Sequence, residues 1–363
     1  MTEVKTAFVA FFPVIPNNMG SSTVVNSRFK YWPSEKKLFQ LSHLKKINNS
    51  KIKTIFLKKE SPILKILLLP KLILEIYLYL KNSKKKIIII EGASWVFYSF
   101  IVFVALKLIL SKTKIVYISH SIESEIRKKY SNILIYFFTF FLEKLLLKNV
   151  DLVTSVSKKE RKKIKKLHNI NTILYPNSVT IDSRVGNKLI HYEYIYYSGS
   201  YLYKPNKYAI DYLNQRIMPI LLKEIPKLKL VITGGGLNLN YPWLINKNIV
   251  SKKNLYNIIY HSLCLCVPLK FGSGTRIKII EALCLGTTVI STQKGIEGIE
   301  LKKKNPPFIF DKEKEVIKII KFIIKNKSVV KKKSLSQKKY YITKYSMKVI
   351  TEGFLKKNFK YFF

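Results

Sequence analysis

The stretch from Leu263 to Leu301 constrains the fold of this chain more than any other part of the sequence. It begins with an apolar run of strand length, Leu263–Leu269, and continues into the glycine-containing loop FGSGT. From Arg276 onward apolar residues recur at helical spacing as far as Gly286, a residue type that commonly ends helices. A strand, a glycine loop and a helix in this order can bind an anion, because the first backbone N–H groups of a helix have no partner within the helix.

Two charged residues of this predicted helix are placed to contact a ligand. Lys278 and Glu281 are three residues apart and therefore share one helix face. The lysine could bind a phosphate, and the carboxylate could accept hydrogen bonds from sugar hydroxyls. Taken without its surroundings, the glycine loop is equally well explained as a tight structural turn.

The rest of the sequence alternates short apolar runs with longer helical patterns. Strands are predicted at Val4–Pro13, Ile52–Leu57, Lys86–Ile90, Lys114–Ser119, Asp151–Ser157, Glu193–Tyr197 and Lys227–Thr233. This alternation predicts parallel sheets that are covered by helices, with ligands bound beyond the carboxyl ends of the strands. A chain of 363 residues is long enough for two such domains.

The glycine-loop segment resembles the donor-binding segment of group 1, or family 4, glycosyltransferases with the GT-B fold. The resemblance rests on the order of Pro268, Gly272, Gly274, Lys278, Glu281, Ala282, Gly286, Val289, Thr292 and Gly295. The subtype is the one written GSGTRIK. Many relatives carry an acidic residue at the position of Ser273, where it is associated with the sugar part of the donor.

The resemblance implies an α/β fold of two Rossmann-like domains that face each other across a cleft. Residues 1–179 would form an acceptor-side domain, and residues 180–191 a linker. Residues 192–339 would form the nucleotide-sugar-binding domain. Residues 340–363 would form a terminal helix that crosses back to the first domain.

The resemblance also implies roles for particular residues. His120 directly follows the predicted strand KIVYIS and would line the cleft near the transferring sugar, although a lone histidine is more often structural. Glu281 would hold the ribose hydroxyls and is the second predicted catalytic residue. Gly20 and Ser21 would face the acceptor or the donor from the loop after the first strand, where a structural turn is an equal alternative.

The remaining predicted donor-binding residues lie on three loops that follow strands. Many relatives place an arginine where this chain has Ser200, so Lys204 and Asn206 are interpreted as substitutes for it. The full predicted set is Gly199, Lys204, Asn206, Gly234, Gly235, Ser273, Gly274, Thr275, Arg276, Lys278 and Glu281.

Stabilising the departing diphosphate requires positive charge, which a metal or the protein can supply. The aspartates of the chain form no DxD pair, since they are Asp151, Asp182, Asp211 and Asp311. The sequence therefore favours a site without metal or other cofactor, in which a helix N-terminus and lysines stabilise the leaving group. Retention at the anomeric carbon is implied by the resemblance.

The net charge of +45 would attract polyanions in general. Nucleic acid is not expected, because zinc-finger spacings and RNP-like motifs are absent from the sequence. Attraction to an anionic membrane surface and a lysine-favouring composition both remain open as explanations. The apolar helix predicted at Asn132–Leu147 is either buried or an interfacial docking surface, with lysines nearby for anionic headgroups.

A location in the cytoplasm is expected, and a peripheral position on the cytoplasmic face of the inner membrane is left open. The beginning of the sequence is typical of a strand rather than of a signal peptide. The apolar stretch Trp95–Leu110 contains Lys107 and is shorter than the roughly 20 apolar residues that a membrane span needs.

The sequence thus predicts a glycosyltransferase that moves a sugar from a nucleoside diphosphate donor to a hydroxyl of a glycan or lipid-linked acceptor. Assembly of bacterial surface polysaccharide or lipid-linked glycans is the expected setting. A nucleotide-sugar epimerase of the same fold and a non-enzymatic basic protein that binds polyanions or membranes are the alternatives. A hydrolase with two carboxylates is disfavoured, because acidic residues are scarce near the glycine loop.

Overall fold

The computed structural model describes residues 4–16, 20–44, 49–110, 112–180, 193–272 and 275–360. The chain divides into two compact units. Unit 1 consists of Met1–Ser178 together with Met347–Phe363, and unit 2 consists of Val179–Ser346. Each unit is a parallel sheet covered by helices, as the alternation of strand and helix patterns predicts.

Unit 1 contains a seven-stranded sheet. Its strands are β1 (Val4–Ala10), β2 (Glu35–Ser42), β3 (Ile52–Phe56), β4 (Lys85–Gly92), β5 (Thr113–Ser119), β6 (Leu152–Ser155) and β7 (Ile173–Leu174). The helices of its first segment are α1 (Gly20–Tyr31), α2 (Pro62–Leu80), α3 (Val96–Ile109), α4 (Glu123–Tyr130), α5 (Ile133–Asn149) and α6 (Lys158–His168). The linker predicted at residues 180–191 lies almost entirely outside the described residues. The strand order is β3-β2-β1-β4-β5-β6-β7, and all neighbours are parallel.

The centre of this sheet is buried on both faces. In β4, Ile88 and Ile90 join the core on one side of the sheet, while Ile87 and Ile89 join the core on the other. Strand β2 was not predicted, because its first three residues, Glu35 to Lys37, are charged and interrupt the apolar run. Ile52–Phe56 is therefore the third strand of the sheet rather than the second.

Unit 2 contains a six-stranded parallel sheet. Its strands are β8 (Tyr194–Ser198), β9 (Lys229–Thr233), β10 (Leu244–Asn246), β11 (Cys264–Val267), β12 (Val289–Ser291) and β13 (Phe308–Ile309). Its helices are α7 (Lys204–Tyr212), which continues through a π-helical segment at Leu213–Ile217, α8 (Met218–Leu222), α9 (Lys252–His261), α10 (Ile277–Leu285), α11 (Glu313–Lys325) and α12 (Lys327–Tyr345). The order is β10-β9-β8-β11-β12-β13.

Both sheets reverse their strand order at their first strand. In unit 1 the reversal lies between β1 and β4, and in unit 2 it lies between β8 and β11. Open parallel sheets bind ligands at such switch points, beyond the carboxyl ends of the strands. Each unit therefore offers one edge at which a site is expected.

The last helix, α13 (Met347–Asn358), packs on unit 1. Phe354 of this helix stacks on Tyr175 with ring centroids 4.3 Å apart. The sequence places the start of this returning segment at Tyr340, but Tyr341 and Tyr345 are buried in the core of unit 2 and keep α12 there. Among the helices of the described residues, none combines the length and the apolar character needed to cross a membrane.

Candidate functional site

The loops after β8 and β9 of unit 2 approach each other through glycines. Gly199 has a φ of +156° and Gly234 a φ of +133°. A Cβ on Gly234 would lie 2.4 Å from the carbonyl oxygen of Gly199, and a Cβ on Gly199 would lie 2.5 Å from the side chain of Asn206. Both positions therefore require glycine. Gly235 does not, because a Cβ there would meet nothing closer than Ile249 at 3.5 Å.

Asn206, in the first turn of α7, links these loops to α10. Its Nδ2 donates a hydrogen bond to the carbonyl of Ser200 at 3.1 Å. Its Oδ1 accepts hydrogen bonds from the Tyr197 hydroxyl at 2.8 Å and from Nζ of Lys278 at 3.0 Å. Nζ of Lys278 also lies 4.1 Å from the centroid of the Tyr197 ring. The structure thus brings Gly199, Asn206 and Lys278 together at the carboxyl end of β8.

The two cations at the start of α10 are partly withdrawn from water. Burial and, to a lesser extent, the neighbouring charge of Arg276 lower the pKa of Lys278 to about 7, against the opposing effect of Glu281. Burial also lowers the pKa of Arg276, which directly precedes the helix. The first N–H groups of a helix carry partial positive charge as well. An anionic ligand at this helix terminus would therefore stabilise the charged form of both side chains.

Glu281 lies in the middle of α10 and is 4% exposed. Its carboxylate forms an ion pair with Lys252, the first residue of α9. Sequence reasoning missed Lys252, because the contact joins residues 29 positions apart on different helices. The carboxylate that is predicted to hold ribose hydroxyls is thus already balanced by a lysine.

The other predicted residues of unit 2 lie around this cluster or outside the described part of the chain. Lys204 is the first residue of α7 and its side chain is exposed. Thr275 lies next to Arg276 in the segment that leads into α10. Ser273 and Gly274 lie outside the described residues.

In unit 1, His120 directly follows β5, and its Nε2 is 2.7 Å from Oε2 of Glu91. Glu91 lies near the end of β4, which pairs with β5 in the register Gly92 to Ser119. Nη1 of Arg28, from α1, donates to both carboxylate oxygens of Glu91 at 2.6 Å. Arg28 and Glu91 are fully buried, and His120 is nearly so. We call these three side chains the His120 network.

Within the His120 network, Arg28 and Glu91 each stabilise the ionised form of the other. Burial alone would raise the pKa of Glu91, but the charge of Arg28 and hydrogen bonds from His120 and Arg28 hold it below the ordinary value. Burial would lower the pKa of Arg28, and the charge of Glu91 reverses that effect. The guanidinium also lies 4.7 Å from the centroid of the Tyr175 ring, whose hydroxyl is 3.0 Å from Oγ1 of Thr351 on α13.

Sequence reasoning missed Arg28 and Glu91. A signal was available, since Glu91 is a single acid that follows four isoleucines in a buried strand. Gly20 and Ser21 are the first two residues of α1. A Cβ on Gly20 would have nothing within 4 Å, so the backbone there does not require glycine.

The described residues contain no candidate metal centre. No group of three or more His, Cys, Asp or Glu side chains there is arranged to hold a metal ion.

Comparisons with known proteins show what part of this sequence is similar to. Residues 193–326 match the family model described as glycosyl transferases group 1. Among curated protein sequences nothing matches the chain.

Solved structures show the fold of the whole chain. Sucrose-phosphate synthase from Thermosynechococcus elongatus is 13% identical, with a TM-score of 0.71, and the alignment covers 99% of each chain. HepE of Anabaena in complex with UDP-glucose is 11% identical, with a TM-score of 0.66 over 97% of this chain and 98% of that one. The trehalose-6-phosphate synthase OtsA is 11% identical, with a TM-score of 0.68 over 97% and 98%.

The family match covers most of unit 2, and the structural matches extend over both units. They confirm the resemblance that the glycine-loop segment indicates. Residues 193–326 thus resemble the group 1 glycosyl transferases, and the chain as a whole has the GT-B fold that these solved structures share.

Proposed function

We propose that this chain transfers a sugar from a nucleoside diphosphate sugar to a hydroxyl group of an acceptor. The observation that carries the proposal is the cluster of Lys278, Asn206 and Gly199 at the switch point of unit 2. A desolvated lysine, a helix N-terminus and two close-packed glycine loops at one strand end form a site that suits a diphosphate.

The proposed chemistry needs stabilisation of the negative charge that develops on the departing diphosphate. Lys278 and the first N–H groups of α10 would supply this stabilisation, with Lys204 and Arg276 adding positive charge nearby. Glu281 would accept hydrogen bonds from the ribose hydroxyls. In this proposal the transfer uses no metal or other cofactor, because the cations of the chain carry out the role of a metal.

We place His120 beside the transferring sugar and propose that the anomeric configuration is retained. Support for both comes from the resemblance to group 1 enzymes and from the position of His120 at the carboxyl end of β5. Proton NMR of the product resolves α- from β-linked sugar directly. An inverted product would contradict the proposed retention and leave the proposed transfer standing.

The donor is tested by thermal denaturation of the protein with UDP, GDP and ADP and their sugars. A ligand that binds the folded state raises the midpoint of unfolding by mass action. HepE is described in complex with UDP-glucose, so uridine nucleotides are the first to test. We expect one nucleotide class to raise the midpoint of unfolding. EDTA should leave this rise unchanged, and the Lys278→Ala variant should show a smaller rise. Absence of a shift with every nucleotide would overturn the proposal.

Two further outcomes separate the proposal from its alternatives. An epimerase would convert a nucleotide sugar with no acceptor present, whereas the proposed enzyme would leave the sugar of the donor unchanged apart from slow hydrolysis. A non-enzymatic basic protein would bind polyanions in a salt-sensitive way without affinity for free nucleoside diphosphates.

The proposed acceptor is a glycan or a lipid-linked glycan at the cytoplasmic face of an anionic bacterial membrane. Support comes from the outer surface of α2, α3 and α5, which pack side by side on one face of the unit 1 sheet. We call this surface the apolar face. Its exposed large side chains are Ile63, Leu67, Leu74, Leu78, Val104, Leu108, Ile109, Ile133, Leu134, Ile135, Phe137, Phe138 and Phe141.

Charge favours a lipid surface as the occupant of the apolar face. The exposed lysines Lys71, Lys144 and Lys148 lie on the same helices, and Lys128 and Lys129 lie on the adjoining α4. The exposed Glu125 of α4 forms an ion pair with Lys163, so its negative charge does not oppose these lysines. An apolar surface with interspersed lysines is typical of binding to anionic headgroups.

Co-sedimentation with vesicles tests this contact. We expect stronger binding to phosphatidylcholine vesicles that contain phosphatidylglycerol than to phosphatidylcholine alone. The double variant Phe137→Ser/Phe141→Ser should weaken binding at least ~10-fold, because each buried phenylalanine contributes about 1.5–3 kcal/mol. A matched control is Val329→Ser/Leu335→Ser, which removes exposed apolar side chains from α12 of unit 2. Equal binding of both variants would contradict the membrane contact.

A further inference from the structure

We infer that Glu91 is a positioning residue that fixes which nitrogen of His120 carries the proton, and that Arg28 keeps Glu91 ionised for this purpose. The inference rests on the proposed function, in which His120 contacts the transferring sugar.

The geometry determines the tautomer of His120. An ionised carboxylate accepts hydrogen bonds and cannot donate them. Since Oε2 of Glu91 lies 2.7 Å from Nε2 of His120, the proton of the neutral ring must lie on Nε2. Nδ1 is then the nitrogen that remains for a contact with the substrate, as an acceptor when the ring is neutral. A carboxylate that orients a histidine in this way controls the reactivity of the second ring nitrogen.

Arg28 is essential to this argument because Glu91 is fully buried. An isolated carboxylate in such a place would become protonated, and a protonated carboxyl could donate to the histidine instead. Nη1 of Arg28 binds both carboxylate oxygens at 2.6 Å, and the pKa of Glu91 stays below its ordinary value. The buried pair therefore keeps Glu91 in the form that accepts from Nε2.

The fold itself gives no reason for charge at this position. The preceding residues of β4, Ile87 to Ile90, are fully buried apolar side chains, and apolar residues usually stabilise such a place at least as well as an ion pair. The hydrogen bonds that the structure gives Glu91 run to Arg28 and His120. Glu143 differs, although it too contacts a histidine, because it also accepts from the backbone N–H groups of Glu123 and Ser124 and so holds the start of α4.

Glu91→Gln provides a sharp test. The single amide oxygen of the new side chain would turn toward the Arg28 donors, which leaves the amide N–H₂ facing Nε2 of His120. Nε2 would have to become an acceptor, and the proton would move to Nδ1. We expect the dominant tautomer of His120 to change from Nε2–H to Nδ1–H, and kcat to fall about 10- to 100-fold with a smaller change in KM for the donor.

The tautomer is measured in the full-length protein labelled with ¹⁵N-histidine, from long-range ¹H–¹⁵N spectra, with His120→Gln used to assign the signal. Wild-type protein with the proton on Nδ1 would overturn the inference even if Glu91→Gln did not fold. An unchanged tautomer and unchanged kcat in folded Glu91→Gln would also overturn it. Glu60→Gln is the matched control, because Glu60 contacts His43 at 2.8 Å on the exposed surface. The activity of the Glu60→Gln variant should equal that of wild type.

The proposed sugar transfer and the positioning role of Glu91 are contradicted by different results. If the wild-type protein transfers no sugar from any nucleotide donor, the proposed function fails. The tautomer of His120 in wild type and in Glu91→Gln would still confirm or overturn the positioning role of Glu91, since that measurement needs no substrate.

Discussion

Nζ of Lys278 lies 3.0 Å from Oδ1 of Asn206, a residue 72 positions earlier in the chain. The contact joins the start of α10 to the first turn of α7, and Asn206 in turn contacts the loop after β8 through Ser200. Because Oδ1 of Asn206 is neutral, it orients the lysine without supplying the negative charge that would keep it protonated. The free protein therefore holds a lysine whose pKa is lowered to about 7 at the point where a diphosphate is proposed to bind.

Binding of a nucleoside diphosphate should be coupled to uptake of a proton by Lys278. The free lysine loses its proton as the pH rises through about 7, and a bound diphosphate would raise its pKa again. Affinity should therefore fall as the pH rises from 7 to 9, by at most about tenfold per pH unit. Calorimetry in buffers of different ionisation enthalpy measures the uptake.

The variant Lys278→Met should bind the nucleotide about 1.5–3 kcal/mol more weakly, the range for a hydrogen bond to a charged group. Its affinity should also lose the decline between pH 7 and 9. Lys207→Met is the matched control, since Lys207 lies on α7 but its charge is exposed to solvent. Wild-type binding without proton uptake would contradict the proposed role of Lys278.

Gly234→Ala should destabilise unit 2 far more than Gly235→Ala. At Gly234 the new methyl group would lie 2.4 Å from a backbone oxygen that cannot move without the loop, and the φ of +133° is strained for alanine. We expect a loss of about 2 kcal/mol or more at Gly234 and a change within about 0.5 kcal/mol at Gly235. Chemical denaturation of both variants gives the comparison, and equal stabilities would show that the two loops do not approach as described.

Features of the site that depend on one short segment could be predicted from the sequence. The helix that carries Lys278 and Glu281, and the placement of His120 after a strand, follow from local periodicity and from the ends of apolar runs. The glycines at Gly199 and Gly234 can likewise be recognised in the sequence as loop residues after strands. The contact between their two loops cannot.

Features that depend on tertiary contacts could not be predicted. Arg28 and Glu91 are 63 positions apart, and they form an ion pair only when the fold brings α1 next to the end of β4. The pairing of Lys252 with Glu281 likewise joins two helices. In a chain with 66 lysines and arginines, sequence alone does not indicate which cation will lie next to a buried carboxylate.

Glu281→Gln should reduce sugar transfer while the protein remains folded, because an amide offers one acceptor where the carboxylate offers two for ribose hydroxyls. The substitution also breaks the ion pair with Lys252. Lys252→Gln separates these effects, since it removes the ion pair and keeps the carboxylate. We expect a larger rise in KM for the donor in Glu281→Gln than in Lys252→Gln. A fully active Glu281→Gln variant would remove Glu281 from the proposed site.

Folding stability should decrease as the pH rises from about 4.5 to 7, and Glu123 should account for part of the decrease. Burial raises the pKa of this carboxyl to about 7, with Arg127 opposing and Glu143 adding to the rise. The unfolded chain releases the proton near pH 4.5, so in this window it binds fewer protons than the folded chain, and higher pH favours unfolding. Glu123→Gln removes that difference. The loss of unfolding free energy between pH 5 and 8 should therefore be smaller than in wild type by on the order of 2–3 kcal/mol. Glu125→Gln, a change on the exposed face of the same helix, should leave the wild-type pH dependence intact, and an identical pH dependence in Glu123→Gln would contradict the raised pKa.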